Sequence, residues 1–139
     1  MENHILKKRV LILCTGNSCR SIMAEALINA KLGECVEAQS SGVQASGVVN
    51  PNAQELLEKE GLWREHYHSK VIEEVLNNEF DLVVTVCDNA QETCPMFPKA
   101  VKTMHMGFED PSGKEKHEYI KALELIHLHL IPRIKKELC

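Results

Sequence analysis

Apolar positions along this chain follow two rhythms. Val10-Leu11-Ile12-Leu13 is a continuous apolar run, as expected of a parallel strand buried on both faces. From Ile22 to Leu32 the spacing becomes helical: Ile22, Ala26 and Leu27 share one face, Lys31 lies off it, and Gly33 closes the segment. Ser21 stands where an N-cap belongs. Val36 to Ser41 reads as a second strand, and a Ser/Gly-rich stretch to Val49 as a loop. Pro51 suits the first turn of a helix that runs to Glu60 and is closed by Gly61. Lys70 to Asn77 predicts another helix, with Val71, Val75 and Leu76 inward. Asp81 to Val86, rich in β-branched residues, is a strong strand signal. Val101 to Met106 is a weaker strand, and Gly107 to Gly113 a loop. Lys116 to Leu138 is helical, with Pro132 expected to kink or break it.

The predicted order is strand–helix–strand–helix–helix–strand–strand–helix. That alternation points to an α/β sandwich around a parallel sheet, whose ligands bind at the carboxyl ends of the strands. Cys14 follows the first strand, Cys87 the third and Asp110 the fourth, so the candidate chemistry converges on that edge. No repeat, linker or low-complexity segment interrupts the chain, and one domain over 1–139 is expected.

Composition narrows the function. The hydrophobic fraction, 44% of 139 residues, is ample for one core. No apolar run reaches the ~20 residues of a membrane span. The basic residues Lys7, Lys8 and Arg9 precede an apolar run too short for a signal peptide, so a cytoplasmic protein is expected. A net charge of −4 without a basic stripe argues against nucleic acid as partner. An anionic substrate would have to be attracted locally. Six cysteines (Cys14, Cys19, Cys35, Cys87, Cys94 and Cys139) are many for this length. A disulfide scaffold does not suit a cytoplasmic chain that can build its own core; redox chemistry, a metal or a nucleophile remain.

Cys14-Thr15-Gly16-Asn17-Ser18-Cys19-Arg20-Ser21 is the sharpest motif. It places a Cys, five residues and an Arg between a buried strand and a helix N-terminus. Backbone N–H groups there can converge on an anion with the helix dipole behind them. Gly16 and Asn17 tolerate the positive φ that such a nest needs. Arg20 can offer two parallel N–H bonds to a tetrahedral oxyanion. The same field is expected to favour the Cys14 thiolate, helped by the Ser18 and Ser21 hydroxyls. A shift of about two units from the free-thiol value of ~8.5 corresponds to ~2.7 kcal/mol. Cys19 is read as a passive thiol.

Two further features accompany the loop. In Phe108-Glu109-Asp110-Pro111-Ser112-Gly113, proline restricts Asp110 to an extended conformation, from which its carboxyl can protonate a leaving oxygen. Cys87 and Cys94 are separated by six residues, five of them polar. That is wider than zinc spacing, no paired-His signature follows, and no metal is expected. The separation suits a thiol pair that forms a disulfide during turnover, or two unrelated loop cysteines. His66, His68, His127 and His129 are assigned to the surface.

The anion loop together with Gly107-Phe108-Glu109-Asp110-Pro111 resembles the low-molecular-weight protein tyrosine phosphatase family. Val84-Thr85-Val86-Cys87 with Cys94-Pro95-Met96 resembles its thioredoxin-coupled arsenate reductase branch. The likeness spans roughly residues 9 to 125. It implies a flavodoxin-like three-layer sandwich with a central four-stranded parallel sheet. It also implies a reaction: Cys14 attacks arsenate, Asp110 assists departure of water, and Cys87 attacks the adduct, releasing arsenite. A transient Cys14–Cys87 disulfide then gives way to Cys87–Cys94, which reduced thioredoxin opens. Asn17 braces the anion loop, Arg20 clamps the oxyanion and Ser21 bonds the thiolate. Phosphate and sulfate would compete with arsenate, no cofactor would be bound, and the chain would act as a monomer.

The sequence also departs from the family. Some members hold a potassium ion with residues matching Asn17, Glu25 and Ser40 plus a carboxylate; Lys70 stands at that last position, and its ammonium is expected to replace the ion. A Trp common before Gly-Phe in the branch is Met106 here. Ser112 and Gly113 follow Asp-Pro where phosphatases of the fold carry aromatic residues for a phosphotyrosine ring, which favours a small inorganic anion. Two alternatives stand beside the reductase: a tyrosine phosphatase using Cys14, Arg20 and Asp110, and a non-enzymatic oxyanion or redox sensor.

Overall fold

The computed structural model describes residues 7–93 and 101–139. Four strands form one parallel sheet in the order β2-β1-β3-β4, with β1 at Lys8–Cys14, β2 at Val36–Gly42, β3 at Leu82–Thr85 and β4 at Lys102–His105. This is the expected α/β sandwich with a central four-stranded parallel sheet. Its apolar strands are buried as predicted: Val10 to Leu13 and Leu82 to Val84 are fully enclosed. The strand order reverses between β1 and β3, so a crevice opens at their carboxyl ends. Cys14 ends β1, and Cys87 lies two residues past the end of β3.

Helices α1 (Arg20–Lys31), α2 (Pro51–Lys59), α3 (Asp88–Thr93) and α4 (Lys116–Leu138) flank the sheet. Ile22, Ala26 and Leu27 are buried and Lys31 is exposed, as the periodicity requires. The α2 boundaries follow the punctuation in the sequence. Asn50 caps the helix by accepting from the Asn52 and Ala53 amides, Pro51 opens it, and Gly61 at φ 73° follows its end. Among the described residues, no helix is long and apolar enough to cross a membrane.

Three expectations need correction. Ser21 is not the N-cap of α1: the helix begins at Arg20, and Cys19 occupies the cap without a side-chain bond. The helix predicted from Lys70 to Asn77 shrinks to one 3-10 turn, Ile72–Glu74. Its start is held extended, because the Gly42 amide donates to the Lys70 carbonyl (2.9 Å) and Val71 bridges to Gly42. Pro132 does not end α4, which continues to Leu138. Proline forfeits a bond to the carbonyl four residues back; that residue, Leu128, lies on the solvent side, 64% exposed, where water can satisfy the carbonyl.

A disulfide joins Cys35, just before β2, to Cys139 beyond the end of α4. This cross-link among the described residues runs against the expectation that the cysteines form no disulfide scaffold. Its partners stand 104 positions apart, a pairing that spacing cannot reveal.

Candidate active site

The anion loop is built by its outer shell. Amides of the segment after β2 take up its carbonyls: Val43 donates to Cys14 (3.0 Å), Gln44 to Thr15 (2.9 Å), Ser46 to Gly16 (2.9 Å) and Asn50 to Ser18 (2.8 Å). The Ser69 hydroxyl adds a second bond to the Gly16 carbonyl (3.0 Å). In a trans peptide the next N–H points opposite the carbonyl. Drawing these carbonyls outward therefore turns the loop's amides toward its concave side, as an anion nest requires. Gly42 lets the two segments approach, since a Cβ there would strike the Thr15 carbonyl. Sequence alone predicts a loop over residues 43–49, and its Ser/Gly-rich composition is the signal of a closely packed backbone.

Asn17 is the brace. It is fully buried at φ 49°, the left-handed conformation expected of it; Gly16 does not share the positive φ. The Asn17 amide donates to Ser21 (2.8 Å) and Ser40 (2.9 Å), and its oxygen accepts from the Lys70 backbone amide (2.9 Å). Ser40 in turn donates to the Glu25 carboxylate (2.6 Å). Burial pushes Glu25 up to about 7, against the pull of Lys70, the Ser40 bond, His68 and Arg64. Lys70 is buried in this cluster. Its positive charge acts on Glu25, and a cation already near that carboxyl disfavours a second one such as potassium.

Arg20, the first residue of α1, reaches the other wall. Its Nη1 donates to the Phe108 carbonyl (2.9 Å), and its Nη2 lies 3.5 Å from the Asp110 carboxylate. Asp110 is fixed further by the Ser112 amide, which donates to its other oxygen (3.0 Å). The cation and the acid thus face the crevice together. Cys19 is buried beside them; burial first, then the Asp110 charge, pushes its thiol up to about 12 against the Ser112 hydrogen bond and Arg20. That suits its reading as a passive thiol.

The structure brings Cys87 to the same crevice. Its sulfur lies 3.2 Å from the Thr15 hydroxyl, which accepts from Asn89 (3.0 Å) and can donate its own proton to a Cys87 thiolate. Here the expected activation moves. Burial pushes Cys14 up to about 12 despite Arg20; the Cys87 charge and a hydrogen bond to Cys87 raise it further, and only the Thr15 amide joins Arg20 in opposing them. At Cys87 burial also raises the pKa, yet bonds from Thr15, the Ala90 amide and Cys14, with Arg20 nearby, outweigh it and lower the thiol. Of the two thiols, Cys87 is the one whose ionised form its surroundings favour, and Cys14 the one whose ionised form burial opposes. Cys94 lies outside the described residues. His66, His68, His127 and His129 are exposed.

The chain is thus an α/β protein with a Cys-x5-Arg loop whose thiol stands at the crevice of a 2-1-3-4 parallel sheet. The chain belongs to the low molecular weight phosphotyrosine protein phosphatase family, whose model matches residues 9–137. An arsenate reductase of Brevibacillus brevis is 43% identical over 136 residues, 98% of this chain and 96% of that protein. The crystal structure of an arsenate reductase from Archaeoglobus fulgidus superposes with a TM-score of 0.77 at 32% identity, covering 91% of this chain and 98% of that one. A low molecular weight protein tyrosine phosphatase from T. tengcongensis gives 0.80 at 33% identity, covering 95% and 100%.

Proposed function

We propose that this chain is an arsenate reductase working through a three-thiol relay. The observation that carries the reading is Cys87 at the anion loop, its sulfur 3.2 Å from the Thr15 hydroxyl and its titration coupled to that of Cys14. Its relatives named as arsenate reductases support it. A phosphatase has no use for a second thiol at that point; a reductase needs one, because reducing arsenate to arsenite takes two electrons.

The chemistry balances on these residues. Arsenic acid and the Cys14 thiol condense to a thioester of arsenic(V), with loss of one water. Asp110 delivers the proton to the departing oxygen, while loop amides and Arg20 hold the negative oxygens. Cys87 sulfur then attacks Cys14 sulfur. The sulfur–arsenic bond breaks, its electron pair stays on arsenic, and arsenite leaves. Two thiols have become one disulfide, and arsenic has gained two electrons. Cys94 exchanges with that disulfide to free Cys14 and leave Cys87–Cys94. Reduced thioredoxin, itself oxidised to a disulfide, restores both thiols. The reaction as written uses no bound cofactor, and its free thiols suit a compartment in which thioredoxin is kept reduced, such as the cytoplasm.

A tyrosine phosphatase acting through Cys14, Arg20 and Asp110 is the second reading, favoured by the likeness to the T. tengcongensis enzyme. Cys87→Ser separates the two. The variant is expected to lose multiple-turnover arsenate reduction, coupled to thioredoxin, its reductase and NADPH, and to retain cleavage of a phosphate ester. Undiminished arsenate reduction would overturn the relay. Failure of the wild-type protein to form arsenite in that assay would favour the phosphatase, or a sensor if phosphate esters are also left intact.

A further inference from the structure

Cys87 is followed by two residues tied to opposite sides of the crevice. Asn89 donates to Thr15 on the anion-loop side (3.0 Å). Asp88, the first residue of α3, meets His105 on the other: His105 Nε2 and Asp88 Oδ1 are 3.2 Å apart. His105 ends the edge strand β4, paired in register with Thr85 of β3, and its Nδ1 lies 2.8 Å from the Thr85 hydroxyl. The imidazole is only 23% exposed although Asp88 is 89% exposed, so the ring is anchored in the sheet and grips a carboxylate at the surface. The backbone closes over this contact at Gly107, where a Cβ would stand 3.2 Å from His105 Nε2 and 3.6 Å from Asp88 Oδ1. One residue on, the Phe108 amide donates to Val86 (3.0 Å) and its carbonyl accepts from Arg20.

We propose that His105 is a positioning residue for the second thiol, clamping the first turn of α3 through Asp88 so that Cys87 stays aimed at Cys14. The argument rests on the reading of Cys87 as electron donor. Disulfide formation between two thiols requires one sulfur to approach the other along the bond being broken, and errors near 1 Å in such an approach cost up to about 100-fold in rate. Helix α3 has six residues, too few to fix its own orientation by internal bonds. Its direction comes from the buried Ala90 and from side-chain tethers, and Asp88–His105 is a tether on the side opposite the anion loop. A contact so exposed on its carboxylate side is weak, which lets the turn detach when Cys87 later pairs with Cys94.

Two amides separate the two bonds of the imidazole. Glutamine at 105 places an N–H near the position of Nε2 and keeps the Asp88 contact; asparagine reproduces Nδ1 and keeps only Thr85. The assay is arsenite release with thioredoxin recycling, read as separate kcat and KM. His105→Asn is expected to lower kcat about 10-fold or more, with the KM for arsenate within about twofold of wild type because arsenate is held by the loop. His105→Gln should restore kcat to within about threefold of wild type. Asp88→Ala, a change on an exposed side chain, should reproduce the asparagine variant and serves should the histidine variants fail to fold. Wild-type kcat in His105→Asn or in Asp88→Ala, or equal losses in the asparagine and glutamine variants, would overturn the clamp. Cys87→Ser runs in parallel. If it reduces arsenate normally, the relay has failed; if it is inactive while Asp88→Ala turns over like wild type, only the clamp has.

Discussion

Replacing Asn17 tests how the anion loop holds its shape. Asn17→Ala deletes three buried hydrogen bonds, to Ser21, Ser40 and the Lys70 amide. At about 1 kcal/mol net for each, the loss is about 3 kcal/mol. The residue stands at φ 49°, where alanine pays a further ~1 kcal/mol that asparagine largely avoids. The sum, about 4 kcal/mol, is a large share of a typical domain's stability. It corresponds to a fall in Tm of roughly 15 °C for a chain of this size. Asn17→Gly loses the same bonds without the conformational strain and should recover about 1 kcal/mol relative to alanine. Urea and thermal melts of the three proteins measure both differences. Phosphate added to the melts reads the loop itself: wild type should gain Tm with anion concentration, as any ligand of the native state requires, and both variants should gain much less. A loss below about 1 kcal/mol for Asn17→Ala, or a glycine variant no more stable than the alanine one, would refute the reasoning.

The Glu25 carboxyl, raised from 4.5 to about 7 by burial, binds its proton in the native state where the unfolded chain has lost it. Stability should therefore fall as pH rises from about 5 to 7, the sign required when the folded state holds more protons; Glu25→Gln should flatten that slope in urea melts, and an unchanged slope would exclude Glu25 as its source. With Lys70 in the cluster beside Asn17 and Glu25, exchanging sodium for potassium at constant ionic strength should leave the reductase rate unchanged; a steep rise with potassium would show that the ammonium does not replace the ion. The Cys35–Cys139 disulfide closes a loop of 104 residues, for which chain entropy allows up to about 4.7 kcal/mol. A phosphine reductant should lower the Tm of wild type and leave that of Cys35→Ser unmoved; equal responses would show that the disulfide does not contribute to stability.

The parts of this molecule that were legible in its sequence are those decided locally. The apolar run Val10 to Leu13 can be satisfied only by a strand covered on both faces, and Pro51 and Gly61 mark a helix by backbone constraint alone. Cys14, Arg20 and Asp110 were legible because the residues around them are matched to an anion. What escaped was decided at a distance. Val71 and Val75 carry helical spacing, yet Gly42 holds Lys70 and Val71 extended from another part of the chain. Cys35 and Cys139 meet only once α4 is laid along the sheet. The Cys87 thiol is lowered against its burial because Thr15 and the Ala90 amide converge on it, and neither contact follows from a motif. His105 reads as an unremarkable residue on a weak strand until Thr85 and Asp88 are seen on its two nitrogens.

The central claim is that the two electrons given to arsenate come from Cys14 and Cys87. The most direct measurement uses Cys94→Ser, which leaves the relay no onward step, treated with one equivalent of arsenate in the absence of thioredoxin. Peptide mass mapping and arsenite analysis of the quenched sample read both products. The account predicts one arsenite per chain and a disulfide joining the Cys14 and Cys87 peptides. Arsenite formed while Cys87 remains a free thiol, or arsenate left unreduced by a folded protein, would contradict it.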